Sequence, residues 1–90
     1  MKRDTAVALQ YDRALPAPFV VARGRGELAG RLVQLAEEHD IPRQTDGDLA
    51  EALYTVEVGA YIPEPFFKAV AEILAVVLST ERERGSGESD

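Results

Sequence analysis

His39 is the single histidine of the chain, and it stands beside Asp40 at the end of a helical stretch. A group that titrates near neutral pH next to a carboxylate could act as a general base, provided a nucleophile lies within reach. None is well placed. There is no cysteine, and the serines are Ser79, Ser86 and Ser89, at or beyond the end of the last helical pattern. The simpler role for His39 is a cation-capable side chain near the negative end of a helix dipole. Carboxylates are plentiful (Glu37, Glu38, Asp46, Asp48, Glu51, Glu57), yet their neighbours are polar, and acid–base work needs a carboxyl whose pKa is raised by burial or by a second charge. Asp46-Gly47-Asp48 is too short for a calcium loop, which needs further oxygen ligands and a closing glutamate. Gly24-x-Gly26-x-x-x-Gly30 follows a strand pattern and opens a helix, as phosphate-cradling loops do, with Arg23 and Arg25 beside it. Its last spacing is one residue longer than the dinucleotide fingerprint and no Lys-Ser/Thr pair follows, so a structural strand-to-helix turn is the better account. No catalytic set, no metal site and no cofactor are predicted, and the chain is expected to bind a partner, not to act as an enzyme.

The elements that would position these residues must fit one small domain. Ninety residues with 46% hydrophobic content support one modest core, since a chain of this length buries only roughly 60% of its unfolded surface. A net charge of −6 repels phosphate and argues against nucleic-acid binding. The longest apolar run, Ile73 to Leu78, is far short of the ~20 residues that span a bilayer. Met1-Lys2-Arg3-Asp4 is not followed by the apolar core of a signal peptide. A complete, cytoplasmic protein without membrane insertion is expected.

Residues Thr5 to Tyr11 read as a strand with Val7 and Leu9 on one face. Asp12 to Pro18 is a loop because of Pro16 and Pro18, and Phe19 to Ala22 is a second strand, adjacent and antiparallel to the first. A helix is predicted from about Glu27 to His39, with Leu28, Leu32, Leu35 and Ala36 as its apolar stripe and Arg31, Gln34, Glu37 and Glu38 facing water. Ile41 to Thr45 is expected as a short third strand, parallel to the second through a right-handed crossover. Asp46-Gly47-Asp48 is a turn that also supplies the cap of a short second helix carrying Leu49, Ala50, Leu53 and Tyr54. Pro63-Glu64-Pro65 opens a last helix that should pack centrally through Phe66, Phe67, Val70, Ile73, Leu74, Val77 and Leu78. The fold class is therefore α/β: a small mixed three-stranded sheet with about three packed helices over residues 1–79. Residues 80–90 (ERERGSGESD after Thr80 is counted with them) form a charged, Gly/Ser-rich tail without an anchor, predicted to be disordered.

Five strings in order carry a resemblance: AVALQYD (Ala6 to Asp12), APFVVARG (Ala17 to Gly24), GELA…LAEEHDIP (Gly26 to Pro42), LAEALY…VEVGAYIP (Leu49 to Pro63) and FFKAVAEILAVV (Phe66 to Val77). Together they are similar to the cytoplasmic C-terminal domain of the FlhB/YscU family (FlhB/HrpN/YscU/SpaS), the export-switch proteins of flagellar and injectisome type III secretion. Members of that family carry an Asn-Pro-Thr-His motif before the AVAL strand, where asparagine breaks its own peptide bond. Met1 to Asp4 stand there in this chain, and the chain has no asparagine, which implies that this self-cleavage is lost. Asp40 replaces a glycine usual in the family, a position where aspartate tolerates left-handed geometry. Glu51 stands where arginine is frequent.

The resemblance implies a docking module for export substrates or export-gate components. It also implies exposed partner-binding positions at Ala17 and Pro18 in the turn before the second strand and at Ala50 and Leu53 on the second helix; the plainer alternative is that both segments simply close over the core. A rival reading is a cytosolic assembly or regulatory adaptor that keeps the fold without serving secretion. The family strand that precedes the cleavage motif is missing from the sequence, so the edge beside Ala6 to Tyr11 is expected to be open, allowing a weak homodimer or an added strand from a partner.

Overall fold

The computed structural model describes residues 4–75. Strand β1 spans Thr5–Gln10 and β2 spans Phe19–Arg25, followed by helix α1 (Glu27–Glu38) and helix α2 (Gly47–Leu53). A 3-10 turn, Glu64–Phe66, leads into a third helix, α3, described over residues 67–75. No helix among the described residues is long and apolar enough to cross a membrane. The portion of the last helix and the tail beyond residue 75 lie outside the described residues.

β1 and β2 pair antiparallel, from Thr5 opposite Arg25 to Gln10 opposite Phe19. The register shifts between Ala8 and Leu9, so Val21 faces no partner in β1. One extra residue in a strand reverses the in–out alternation beyond it. Here the bulge turns Val20 fully into the core and leaves Val21 40% exposed. The two faces of the hairpin differ in kind. On one, Val7, Leu9 and Val20 meet a cluster made with Ala17, Leu53, Val56, Ile62 and Val70, joined by Leu49, Ala60, Phe66 and Leu74. On the other, Ala6 and Ala8 lie opposite Gly24 and Ala22, a floor of small residues.

That floor lets α1 approach unusually close. A Cβ placed on Gly24 would fall 2.7 Å from the Leu28 Cβ and 3.0 Å from the Leu28 carbonyl carbon, so only glycine fits without moving the helix backbone. Close approach also rotates the apolar stripe from its expected position. Ala29 is the buried residue of α1, with Leu32, Val33 and Ala36 half-buried. Leu28 and Leu35, expected in the core, remain 59% and 49% exposed, because a floor this shallow accepts a methyl group and excludes a leucine from its centre. Arg31, Gln34, Glu37 and Glu38 face water as expected.

α1 ends in a glycine-type stop built around aspartate. Asp40 adopts φ 54, its N–H donates to the Glu37 carbonyl, and the Ile41 N–H donates to the Ala36 carbonyl at 2.8 Å. This pair of bonds is the Schellman motif. Aspartate bears a steric cost there and places a negative charge at the negative end of the helix. Asp40→Gly is therefore expected to stabilise the chain by about 1 kcal/mol, raising Tm by about 4–8 °C. A thermal melt with a lowered Tm would contradict this account of the cap.

The third strand expected over Ile41 to Thr45 is absent. Residues 41–46 have no regular structure and are exposed; only Ile41 in this stretch is strongly apolar, so no face exists to bury. The far side of β2 is met instead by residues 59–62. The Val20 N–H donates to the Ala60 carbonyl (3.0 Å), the Gly59 N–H to the Val20 carbonyl (2.7 Å) and the Ile62 N–H to the Pro18 carbonyl (2.9 Å). These form a single antiparallel bridge, Phe19 with Tyr61, and the two rings meet edge to face at 6.4 Å. The sheet proper has two strands, both antiparallel, and the parallel crossover predicted from the helix between strands does not occur among the described residues.

Candidate docking surface

The expected partner-binding residues fall in two segments that the fold brings together. Ala17 and Pro18 close the loop between the strands, and Ala50 and Leu53 belong to α2. The loop is shaped by Asp12: its carboxylate accepts from the Ala14 N–H (2.8 Å) and its carbonyl accepts from the Leu15 N–H (2.8 Å). An aspartate at the head of a turn does this because its short side chain reaches the backbone two residues on. Ala17 and Leu53 then meet in one core cluster.

Their exposure is not as the resemblance implied. Ala17 and Leu53 are 6% and 4% exposed, Pro18 is buried and Ala50 half-buried. Both segments close over the core. What they offer outward is the shoulder of α2, where Leu49 and Ala50 remain half accessible, and the exposed Pro16 of the loop.

α2 has only seven residues and relies on tertiary anchors, since so short a helix is marginal alone. At its start the Asp46 carboxylate accepts from the Leu49 N–H at 3.1 Å, so within the capping turn Asp46-Gly47-Asp48 the cap is Asp46. At its end the Arg23 guanidinium donates to the Tyr54 carbonyl and, at 2.9 Å, to the Val56 carbonyl. Those oxygens belong to the C-cap of α2 and to the turn just beyond it. Arg23 and Arg25 both stack on the Tyr54 ring, with guanidinium carbons 5.1 and 3.9 Å from its centroid. Arg25 also pairs with Glu51 at 3.1 Å, and Glu51 accepts in addition from the Thr5 hydroxyl. With both partners more than a third exposed, the ion pair contributes at most about 1 kcal/mol. The carbonyl contacts of Arg23 are the firmer part of the clamp.

This clamp was missed in the sequence reading. Arg23 and Arg25 stand at i and i+2 of a strand, hence on one face, but nothing in their spacing shows that α2 would lie beneath them. The glycine-rich stretch is the structural strand-to-helix turn expected from the sequence: Gly26, with φ 61, makes the turn and its carbonyl accepts from the Gly30 N–H, while Arg25 is engaged by Glu51 and Tyr54.

The residues first weighed for chemistry are apart. His39 forms the exposed C-cap of α1. Glu37 pairs with Arg43 at 3.4 Å on the surface. Among the described residues no three His, Cys, Asp or Glu side chains come together as a metal site. Ser79, Ser86 and Ser89 lie outside the described residues.

Comparison with known proteins agrees with this geometry. The model of the FlhB HrpN YscU SpaS family matches residues 3–77. The flagellar biosynthetic protein FlhB of Bacillus subtilis is 44% identical over 79 residues, 86% of this chain and 22% of its own length. FlhB of Aquifex aeolicus is 48% identical over 75 residues, 81% of this chain and 21% of its own. The chain thus spans about a fifth of the curated relatives it matches. Among solved structures, a mutated EscU C-terminal domain superposes with TM-score 0.78 at 36% identity, covering 82% of this chain and 92% of that one. The PscU C-terminal domain gives TM-score 0.77 at 35% identity, covering 81% and 95%.

Proposed function

Since the chain belongs to the FlhB HrpN YscU SpaS family of type III export proteins, we propose that it is a non-catalytic, cytoplasmic protein-binding module of flagellar-type export, docking export substrates or components of the export gate. One observation carries the proposal: the family likeness runs through both the loop holding Ala17 and Pro18 and the helix holding Ala50 and Leu53, and the fold joins these two segments over a shared core. In this reading three of the four side chains do not touch the partner. Ala17, Pro18 and Leu53 set the position of loop and helix, and the accessible shoulder at Leu49 and Ala50 makes the contact.

The test is binding of the purified chain to export substrates and to the soluble domains of the export gate, by calorimetry. Ala50→Asp is the informative variant because the site is half-buried and at the helix surface. It is expected to weaken binding at least about tenfold, the loss of an apolar contact plus desolvation of a charge, while the thermal melt stays two-state. Wild-type chain that binds none of these proteins, or an Ala50→Asp chain that binds them equally well, would refute the proposal. In the first case a cytosolic adaptor unrelated to secretion becomes the better reading.

A further inference from the structure

The face of the hairpin opposite the core is covered by α1 only in part. Val20, Ala60 and Ile62 turn into the core cluster, so by alternation Phe19 and Tyr61 stand on the other face. Phe19 pairs with Gln10 in line with the alanine floor, and its ring meets Tyr61 edge to face at 6.4 Å. Beside this pair, at the bulge, lies Val21; Gly59, whose N–H donates to the Val20 carbonyl, has no side chain to cover it. Tyr61, Val21 and Val58 are left 49%, 40% and 56% exposed, and Phe19 is half-buried. Aromatic and aliphatic surface thus gathers at the loop end of the hairpin. Its rim is acidic. Glu57 precedes Val58 and Glu64 follows Tyr61 by three positions; both are exposed, and neither enters an ion pair among the described residues. From Gln44 to Phe67 the chain carries carboxylates and no lysine, arginine or histidine.

We propose that this patch of Phe19, Val21, Val58 and Tyr61 docks a short segment of a partner protein that presents apolar side chains between basic ones. The surface is separate from the shoulder of α2, which packs on the core side of the hairpin, so the inference stands apart from the function proposed above. Size argues for a short segment. Tyr61 offers about 100 Å² of the roughly 150–250 Å² that an aromatic side chain can bury. With the two valines and the rest of Phe19 the patch comes to on the order of 300 Å², the size of the largest apolar patch on an ordinary monomer. A stable interface between folded proteins takes about 800 Å² from each partner. Charge argues for a basic segment. A second copy would bring its own Glu57 and Glu64 against this rim, on a chain of net charge −6, and apposed like charges suppress such pairing. A lysine or arginine beside an apolar residue instead meets the rim carboxylates, and its cation can rest on the accessible Tyr61 ring.

The probe is the peptide acetyl-Gly-Arg-Leu-Leu-Arg-Gly-amide, followed through the amide chemical shifts of the full chain in nuclear magnetic resonance. It is expected to move the amides of Val21, Val58, Gly59 and Tyr61 with a Kd of about 0.1–1 mM. Val58→Ser is expected to weaken binding about three- to tenfold. Glu57→Gln combined with Glu64→Gln is expected to weaken it about 2- to 30-fold, an effect that added salt reproduces in the parent chain. All three positions are exposed, so the variants keep the fold, checked by their melts. A peptide that leaves these amides unmoved at about 5 mM, that binds equally well with glutamate in place of arginine, or that binds both variants as it binds the parent, overturns the proposal. So do shifts centred on Leu49 and Ala50, which assign the peptide to the shoulder of α2. Shifts of the same four amides on concentrating the chain alone overturn it too, because they assign the patch to a second copy.

Discussion

Leu53→Asp is expected to unfold most of the molecule. The side chain is 4% exposed and belongs to the central cluster with Val20, Val56, Ile62 and Val70. Removing a buried leucine side chain costs about 2–5 kcal/mol, and placing an unpaired carboxylate there adds several more. A chain of 90 residues is stable by only about 4–13 kcal/mol. The expected result is a Tm lower by at least about 20 °C, or loss of a cooperative transition, in a thermal melt followed by circular dichroism. A Tm within about 5 °C of the parent chain would place Leu53 outside the core and restore it as a surface contact. The prediction has a practical edge: loss of partner binding in Leu53→Asp would report unfolding, which is why Ala50 is the better probe of docking.

Arg23→Ala is expected to be the most damaging change to any charged residue described. It removes two charge-assisted bonds to the carbonyls of Tyr54 and Val56 together with a stack on the Tyr54 ring. Bonds of a charged donor to buried acceptors are worth about 1.5–3 kcal/mol, and the deserted carbonyls keep their desolvation cost. A loss of about 2–3 kcal/mol follows, read as a shift in the urea midpoint at unchanged slope. Arg23→Lys should recover only part of it, because an ammonium lacks the planar fork that spans two carbonyls. Neutral acceptors also make the effect insensitive to salt, whereas a charge pair in water weakens as salt is added. If Arg23→Lys were as stable as the parent, or if the loss vanished in high salt, the guanidinium would be a surface ion and not a clamp.

How far the sequence could be read depended on the range of the forces involved. Local chemistry was legible: the strand alternation of Val7 and Leu9, the cap within Asp46-Gly47-Asp48 and the proline-rich loop each follow from a few adjacent residues, and each stands in the structure, whereas the left-handed Asp40 was read through the resemblance. Ile41 to Thr45 was misread because a short stretch between two helices invites a strand by topology, although its residues offer nothing to bury. The α1 stripe was misplaced by about one residue because Leu outranks Ala in any hydrophobic scale, and only the alanine and glycine floor beneath explains why Ala29 takes the centre. The docking residues were expected to be exposed by resemblance, and the structure buries Ala17, Pro18 and Leu53 because both segments close over the core. Arg23 and Arg25 were out of reach altogether, since their partners Glu51, Tyr54 and Val56 lie 26 to 33 positions on.

The shallow floor under α1 has a consequence for how the molecule opens. No residue of α1 enters the cluster on the opposite face, and the helix contributes Ala29 alone as a fully buried side chain. Detaching it would strip the hairpin of its cover on one side and leave the other side packed. Local unfolding of such a unit takes less free energy than global unfolding. Amide exchange in α1 should therefore proceed through a partial opening, while the amides of β2 that face β1 wait for the whole structure to come apart. The chain is one domain by its core and two by its breathing.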